Sequence, residues 1–356
     1  MKKILSFIAV IAFILSACDN KEQTSSSKPV IKIGISVPLT GEYAHVGKNA
    51  RGAAELALAD LSKSDTKYNY VLITEDHAFD SKRVTSINQK FVSLDGIDAI
   101  ISFSAKPGLL TSPIAEKNKI IHIGVSADTN VADGKYNFTH WVVPEKQAIK
   151  LVEKMKKEGV TKVAILTTID QAPKANAEAL KLTLDTANIK YNEYELNVAE
   201  INPDLLIQKI MRQNYDMHVL LLYSPTLDIA IKRFKEEDKN VKLTSVQYIN
   251  TLEDKRIAEG IWYVNTVEPT GESYARFANY NQSENMYAVG NFYDAVNLIV
   301  QAFETADNKE TAVDELTKIK GYNGILGQTE QDEKGIFKPD AAMYQVIDGK
   351  PVVIEE

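Results

Sequence analysis

Short apolar runs rich in β-branched residues alternate with longer segments of helical periodicity from Val30 almost to the C-terminus. Val30–Pro38 (VIKIGISVP) predicts a strand, and Gly47–Leu61 a helix with Ala54, Leu56, Ala57 and Leu61 on or near one stripe. Tyr70–Glu75 and Ala99–Phe103 read as strands flanking a helix over about Lys82–Val92, and Ile120–Val125 as a further strand. A second series begins near Pro144. Helices over 145–158, 173–187, 203–213 and 226–236 separate strands at Lys162–Thr168, Tyr191–Asn197, Met217–Tyr223, Leu243–Ile249 and Ile261–Val267. Strands spaced by helices of about ten to fifteen residues imply parallel sheets covered on both faces. The runs Val163–Leu166 and Val219–Leu222 are apolar at every position, as strands buried on both faces require. The pattern predicts an α/β chain of two doubly wound, Rossmann-like lobes, one before and one after Trp141–Pro144.

The last part of the chain changes style. Tyr287–Thr305 predicts a long helix, Thr311–Lys318 a short one, and Gly321–Gly327 a glycine-punctuated loop. Met343–Ile347 and Pro351–Ile354 read as a hairpin, because Asp348-Gly349 supplies the positive φ values of a tight turn.

The N-terminus carries a different signal. Lys2 and Lys3 precede an apolar run from Ile4 to Leu15, then Leu15-Ser16-Ala17-Cys18. This is the layout of a secretory signal, too short to span a bilayer permanently. Leu-Ser-Ala-Cys resembles the lipobox of bacterial lipoproteins, which implies that Cys18 is lipidated and begins the mature chain. Asp19 then favours retention on the inner membrane, by resemblance to the sorting rule of enteric bacteria. Residues 19–29 (DNKEQTSSSKP) are polar and without periodicity, so 18–29 reads as a flexible tether.

Composition narrows the function. The chain has 356 residues, which suits two domains, and a formal net charge of −7. That balance offers no concentrated basic face for nucleic acid. Cys18 is the only cysteine, so there is no disulfide, thiolate metal site or cysteine nucleophile. The histidines (His45, His77, His122, His140, His218) show no i, i+4 pairing, and no carboxylate cluster has metal-ligand spacing. G-x-G-x-x-G, Walker A and G-x-S-x-G motifs are all missing, so neither a cofactor nor a metal is expected. Asp76, His77 and Asp80 could form an acid–base set, but Asp80-Ser81 is more simply a helix start.

Three segments together resemble the type I periplasmic solute-binding proteins of the branched-chain amino-acid (leucine/isoleucine/valine) transport family. They are IKIGISVPLTGEYAHVGKNARGAAELALADL, ISFSAKPGLLTSPIAEKNKIIHIGVSADT and YAVGNFYDAVNLIVQAF, with Asp80 of HAFDSKRV also in the family's place. The resemblance implies two lobes joined by a three-strand hinge, closing over a ligand in the cleft. The expected organisation is a signal peptide at 1–17 and the tether at 18–29. A first lobe follows at 30–143 plus about 270–330, and a second at 144–269 plus about 331–356. The family has no catalytic step. Its members deliver a small solute, here an amino acid or related carboxylate, to the membrane permease and ATPase of an ABC importer. The chain would be lipid-anchored on the outer face of the cytoplasmic membrane, the periplasmic side in a Gram-negative cell. The alternative is an envelope lipoprotein of the same fold that regulates or senses rather than transports. A hydrolase has only fold-level analogy behind it.

The resemblance also implies ligand residues. Ser102, Ser104 and Ala105 form a serine loop opening a helix, suited to a carboxylate; the plainer reading of Ser104 is a helix cap. Ser126, Ala127 and Asp128 or Thr129 form a second loop, in which one residue of alignment decides which of the last two meets the ligand. An ionised Asp128 there would repel a carboxylate and attract a cation. Tyr223 matches an aromatic that closes over the ligand. The chain departs from the family at Ala172 and Val46, where aromatics are expected. It departs again near SVQYIN, where Gln247 and Asn250 stand in place of the acid that pairs with a ligand ammonium. Either Asp128 replaces that acid or the ligand is not an α-amino acid.

Overall fold

The structure, a computed structural model, describes residues 28–197 and 203–355. The signal segment, Cys18 and most of the tether lie outside the described residues. The opening part runs β1 (Val30–Val37), α1 (Ala44–Leu61), β2 (Asn69–Asp76), α2 (Ser81–Lys90), β3 (Ala99–Phe103), α3 (Ala105–Asn118), β4 (Ile121–Val125) and β5 (Asn137–His140). A second series follows with α4 (Pro144–Lys157), β6 (Lys162–Thr168), α5 (Gln171–Thr186), β7 (Lys190–Leu196) and α6 (Pro203–Met211). It continues through β8 (Met217–Leu221), α7 (Thr226–Glu237), β9 (Leu243–Ser245) and β10 (Trp262–Thr266). The chain then returns to the first lobe with α8 (Gly271–Asn281), α9 (Val289–Thr305), α10 (Ala312–Lys318), β11 (Gly321–Gly324), β12 (Gly327–Gln331) and β13 (Ile336–Lys338). It ends in the second lobe with β14 (Ala341–Ile347) and β15 (Lys350–Glu355).

Two mostly parallel sheets result, one of eight strands in the order β11-β12-β13-β5-β4-β3-β1-β2 and one of seven in the order β15-β14-β10-β9-β8-β6-β7. Ile31, Ile33 and Ile35 in β1 and Val163, Ile165 and Val219 in β6 and β8 are fully buried, as strands covered by helices on both faces must be. The Asp348-Gly349 hairpin forms with both residues at positive φ, and pairs β14 with β15 antiparallel. Asp80 caps α2, its carboxylate accepting from the amides of Lys82 at 2.7 Å and Arg83 at 3.0 Å.

Three passages connect the lobes, between β5 and α4, β10 and α8, and β13 and β14. Two of them are tied together, because the Val267 amide donates to the Asp340 carbonyl at 3.0 Å. The ammonium of Lys146 clamps the last passage from the side, at 2.7 Å from Asp340 Oδ1 and 3.1 Å from the Lys338 carbonyl.

Several expectations need correction. The stretch at Gly321–Gly327 is the antiparallel hairpin β11–β12, an edge extension whose glycines hide it from a propensity reading. Since β13 pairs with β5, the last passage falls after Lys338 rather than near residue 331. The strand expected over Leu243–Ile249 ends at Ser245, and Gln247–Thr251 forms a 3₁₀ turn at the carboxyl end of the sheet.

Candidate functional site

In each sheet the chain first winds to one side of its opening strand and then to the other, creating a switch point between β1 and β3 and another between β6 and β8. Loops leaving the carboxyl ends of flanking strands splay apart there and open a crevice. The two crevices face each other. Between them lies a cavity of about 780 Å³, walled by Tyr43 after β1, Ser104 after β3, Asp170 after β6 and Tyr223 after β8.

Aromatic rings dominate the wall. Tyr43, Phe79, Phe103, Trp141, Tyr223 and Tyr287 all line the cavity, and all but Tyr223 belong to the first lobe or its passages. They brace one another edge to face. Centroids are 5.0 Å apart for Tyr43 and Phe79, 6.1 Å for Phe103 and Tyr287, and 5.4 Å for Trp141 and Tyr287. Tyr43 and Tyr223 meet across the lobes at 6.4 Å. The perpendicular arrangement sets each ring's positive edge against its neighbour's negative face, which holds the wall in one shape. Phe79 is presented by a left-handed turn, with φ of 44° at Ala78 and 56° at Phe79. Its amide donates to Nδ1 of the buried His77 at 2.9 Å. Burial pushes the His77 pKa down to about 4, so the ring stays neutral beneath the turn.

Polar groups sit at defined points. Ser104 has φ of 77° and opens α3, yet its hydroxyl makes no capping bond, so the helix-cap role is not the one it plays. The first N–H groups of α3, at the cavity-lining Ala105 and Lys106, have no acceptor within the helix. Ser126 and Ala127 line the wall beside them, the Ser126 hydroxyl accepting from the Asp128 amide at 3.0 Å. Burial and the Asp170 charge raise the Tyr223 phenol, with hydrogen bonds from Ser104 and Tyr248 acting the other way. Burial likewise raises the phenols of Tyr43 and Tyr287, so the aromatic wall is uncharged. Among the described residues, Asp170 and Lys106 are the charged ones on the lining, and both are solvent-exposed.

Of the residues expected from sequence, Ser104, Ala105, Ser126, Ala127, Tyr223 and Gln247 line the cavity. Ser102, Asp128 and Thr129 do not. Ser102 is fully buried within β3, its hydroxyl 2.8 Å from His122 Nε2. Asp128 Oδ1 accepts from the Asn130 amide and side chain, both at 2.9 Å, as the cap of a short 3₁₀ helix. Thr129 begins that helix. Val46, where the resemblance led one to expect an aromatic, lines the cavity, and so does Tyr43 three residues earlier. Phe79, Trp141, Asp170 and Tyr287 were not singled out from sequence. The clustering of aromatics directly after strands or before helices was the available signal.

The model of the periplasmic binding protein family matches residues 30–351. The chain belongs to that family. It is 25% identical over 327 residues to a Leu/Ile/Val-binding protein homolog of Brucella abortus, spanning 86% of this chain and 87% of the relative. The fold is similar to that of the leucine-binding protein LivK of Thermotoga maritima, with a TM-score of 0.81 at 17% identity over 91% of this chain and 97% of that one. It is also similar to an ABC-transporter solute-binding protein of R. palustris solved with benzoate, with a TM-score of 0.80 at 12% identity over 92% and 96%. In this periplasmic binding protein the two sheets match the type I arrangement. No helix among the described residues is long and apolar enough to cross a membrane.

Proposed function

We propose that this chain is the extracytoplasmic, lipid-anchored binding component of an ABC importer, and that it captures a small carboxylate, an amino acid or a related acid, between its lobes. The observation that supports this most is the shared wall. Ser104 and Ala105 from one lobe and Tyr223 and Gln247 from the other border one cavity. A solute touching both lobes stabilises the closed arrangement by its differential affinity for it. The relatives' ligands belong to the same chemical class, leucine in one named protein and benzoate in a solved one.

Ser104, Ala105, Ser126, Ala127, Tyr223 and Gln247 are the residues we assign to the ligand. The helix α3 N-terminus supplies N–H donors and a favourable dipole for a carboxylate. The lobe division follows the two sheets, with the passages as the hinge. Lipidation at Cys18 rests on the lipobox alone, and two or three acyl chains would hold the protein stably at about 0.8 kcal/mol per buried methylene.

Titration calorimetry of residues 28–356 against amino acids, aromatic acids, short-chain acids and polyamines tests the binding role, with X-ray scattering to read compaction. Binding accompanied by compaction supports it. Absence of binding across the panel by a folded sample, with an envelope enzyme co-purifying, would favour the regulatory alternative instead. For the anchor, Cys18→Ser should move the protein from the membrane fraction to the soluble one. Unchanged fractionation would remove that assignment.

A further inference from the structure

The orientation of one amide on the cavity wall narrows the ligand. Gln247 lines the cavity, and its side chain is held by two donors, one of them the cavity-lining Trp141. The indole Nε1–H of Trp141 lies 3.2 Å from Gln247 Oε1, and the Nε2 of Gln147 also donates to that oxygen. An indole N–H donates and never accepts, so the atom facing it must be the amide oxygen. The oxygen is therefore occupied twice. The NH₂ group, which no described residue accepts, is the end left for the cavity.

Resting on the reading of this cavity as the solute site, we infer that the ligand is a carboxylic acid without an α-ammonium group, carrying an oxygen acceptor such as a 2-oxo or ring hydroxyl that takes the N–H of Gln247. An ammonium has three donors and no acceptor, so an amide NH₂ gives it nothing. Burying a cation without an ionised partner is costly. Among the described residues no such partner lies deep in this wall. The tyrosine phenols are held neutral, and Asp128 is committed to the Asn130 amide and side chain. Thr251 Oγ1 is taken on both sides, donating to the Tyr248 carbonyl at 2.7 Å and accepting from the Ser224 amide at 3.4 Å. Among the described residues Asp170 is the one carboxylate on the lining. It sits at the exposed rim, accepting from Thr168 Oγ1 at 2.9 Å. An oxygen-bearing acid, by contrast, matches donors at two points, the start of α3 and Gln247, with aromatic rings between.

Matched pairs differing only at the amine test this. Calorimetry would compare 4-methyl-2-oxopentanoate with leucine and phenylpyruvate with phenylalanine, with 4-hydroxybenzoate as a ring acid. Wild-type protein should bind the oxo member of a pair at least about tenfold more tightly, the equivalent of ~1.4 kcal/mol. Gln247→Glu, which keeps acceptors for Trp141 and Gln147, should reverse that preference. If Gln247→Glu does not fold, Gln247→Met should lower oxo-acid affinity without raising that for the amino acid. Equal or tighter binding of the amino acid by wild type overturns the inference while sustaining the solute-site reading. Loss of that binding in Asp170→Asn would then place the ammonium at the rim. Binding of no acid, oxo or amino, overturns both readings.

Discussion

The hydroxyl of Tyr43, at the start of α1 in the first lobe, donates to the main-chain carbonyl of Ser224, after β8 in the second. The same ring lies edge-on to Tyr223. One side chain thus touches the opposite lobe with both its polar tip and its apolar body. Tyr43→Phe removes the hydrogen bond and keeps the ring. Affinity for the bound solute should fall by about 0.5–1.5 kcal/mol, the net value of one such bond, with thermal stability nearly unchanged. Calorimetry of the variant checks this, and unaltered affinity would show that the contact contributes nothing to closure.

Ser104 and Tyr223 border the cavity from opposite lobes, and the Ser104 hydroxyl is not committed to capping α3. Ser104→Ala and Tyr223→Ala should each weaken ligand binding by about 1–3 kcal/mol. Circular dichroism should remain that of the wild type. Two variants with wild-type affinity would remove the site assignment.

Asp128 provides the contrasting case. Its carboxylate satisfies the amide of Asn130 and faces the protein, not the cavity. Asp128→Ala should lower stability by about 1 kcal/mol, as the loss of a cap does, and leave ligand affinity where it was. A large loss of affinity with unchanged stability would mean that the carboxylate reaches the ligand.

Within the passage from β10 to α8, Glu268 is half-buried, and its carboxylate accepts from Asn250 Nδ2 at 2.7 Å and Asn265 Nδ2 at 2.9 Å. Burial raises its pKa to about 7, with Lys255 and the two amides acting against the shift. In the unfolded chain the group titrates near 4.5. A proton is therefore held by the folded state alone between those values. The contribution to stability is complete below about pH 4.5 and is lost as pH rises through about 7. Glu268→Gln preserves an acceptor for both asparagines and cannot ionise. Its urea midpoint should exceed that of wild type at pH 8 by more than at pH 5, with a gain on the order of 3 kcal/mol at most. An identical difference at the two pH values would contradict the shift.

Much of the fold was legible along the chain. Continuous apolar runs such as Val163–Leu166 marked doubly covered strands, and Asp348-Gly349 marked the final hairpin, because both features act between near neighbours. Elements stabilised by their partners were not. Gly321, Asn323 and Gly324 have little strand preference of their own. They pair because β12 bridges them to β13, and β13 to the first sheet through β5.

The candidate site divides in the same way. Sequence by itself determined which loops follow which strands, and so that Ser104, Ser126 and Tyr223 stand at carboxyl ends where ligands bind. It also showed that no acid occupies the Gln247 region. Only the tertiary structure decided that Ser102 turns to His122, and that Tyr43, Phe79, Trp141 and Tyr287 converge on one wall. The physical reason is range. Periodicity and turn chemistry report forces between residues a few positions apart, whereas the direction of an amide or a ring is chosen by whatever distant segment packs behind it.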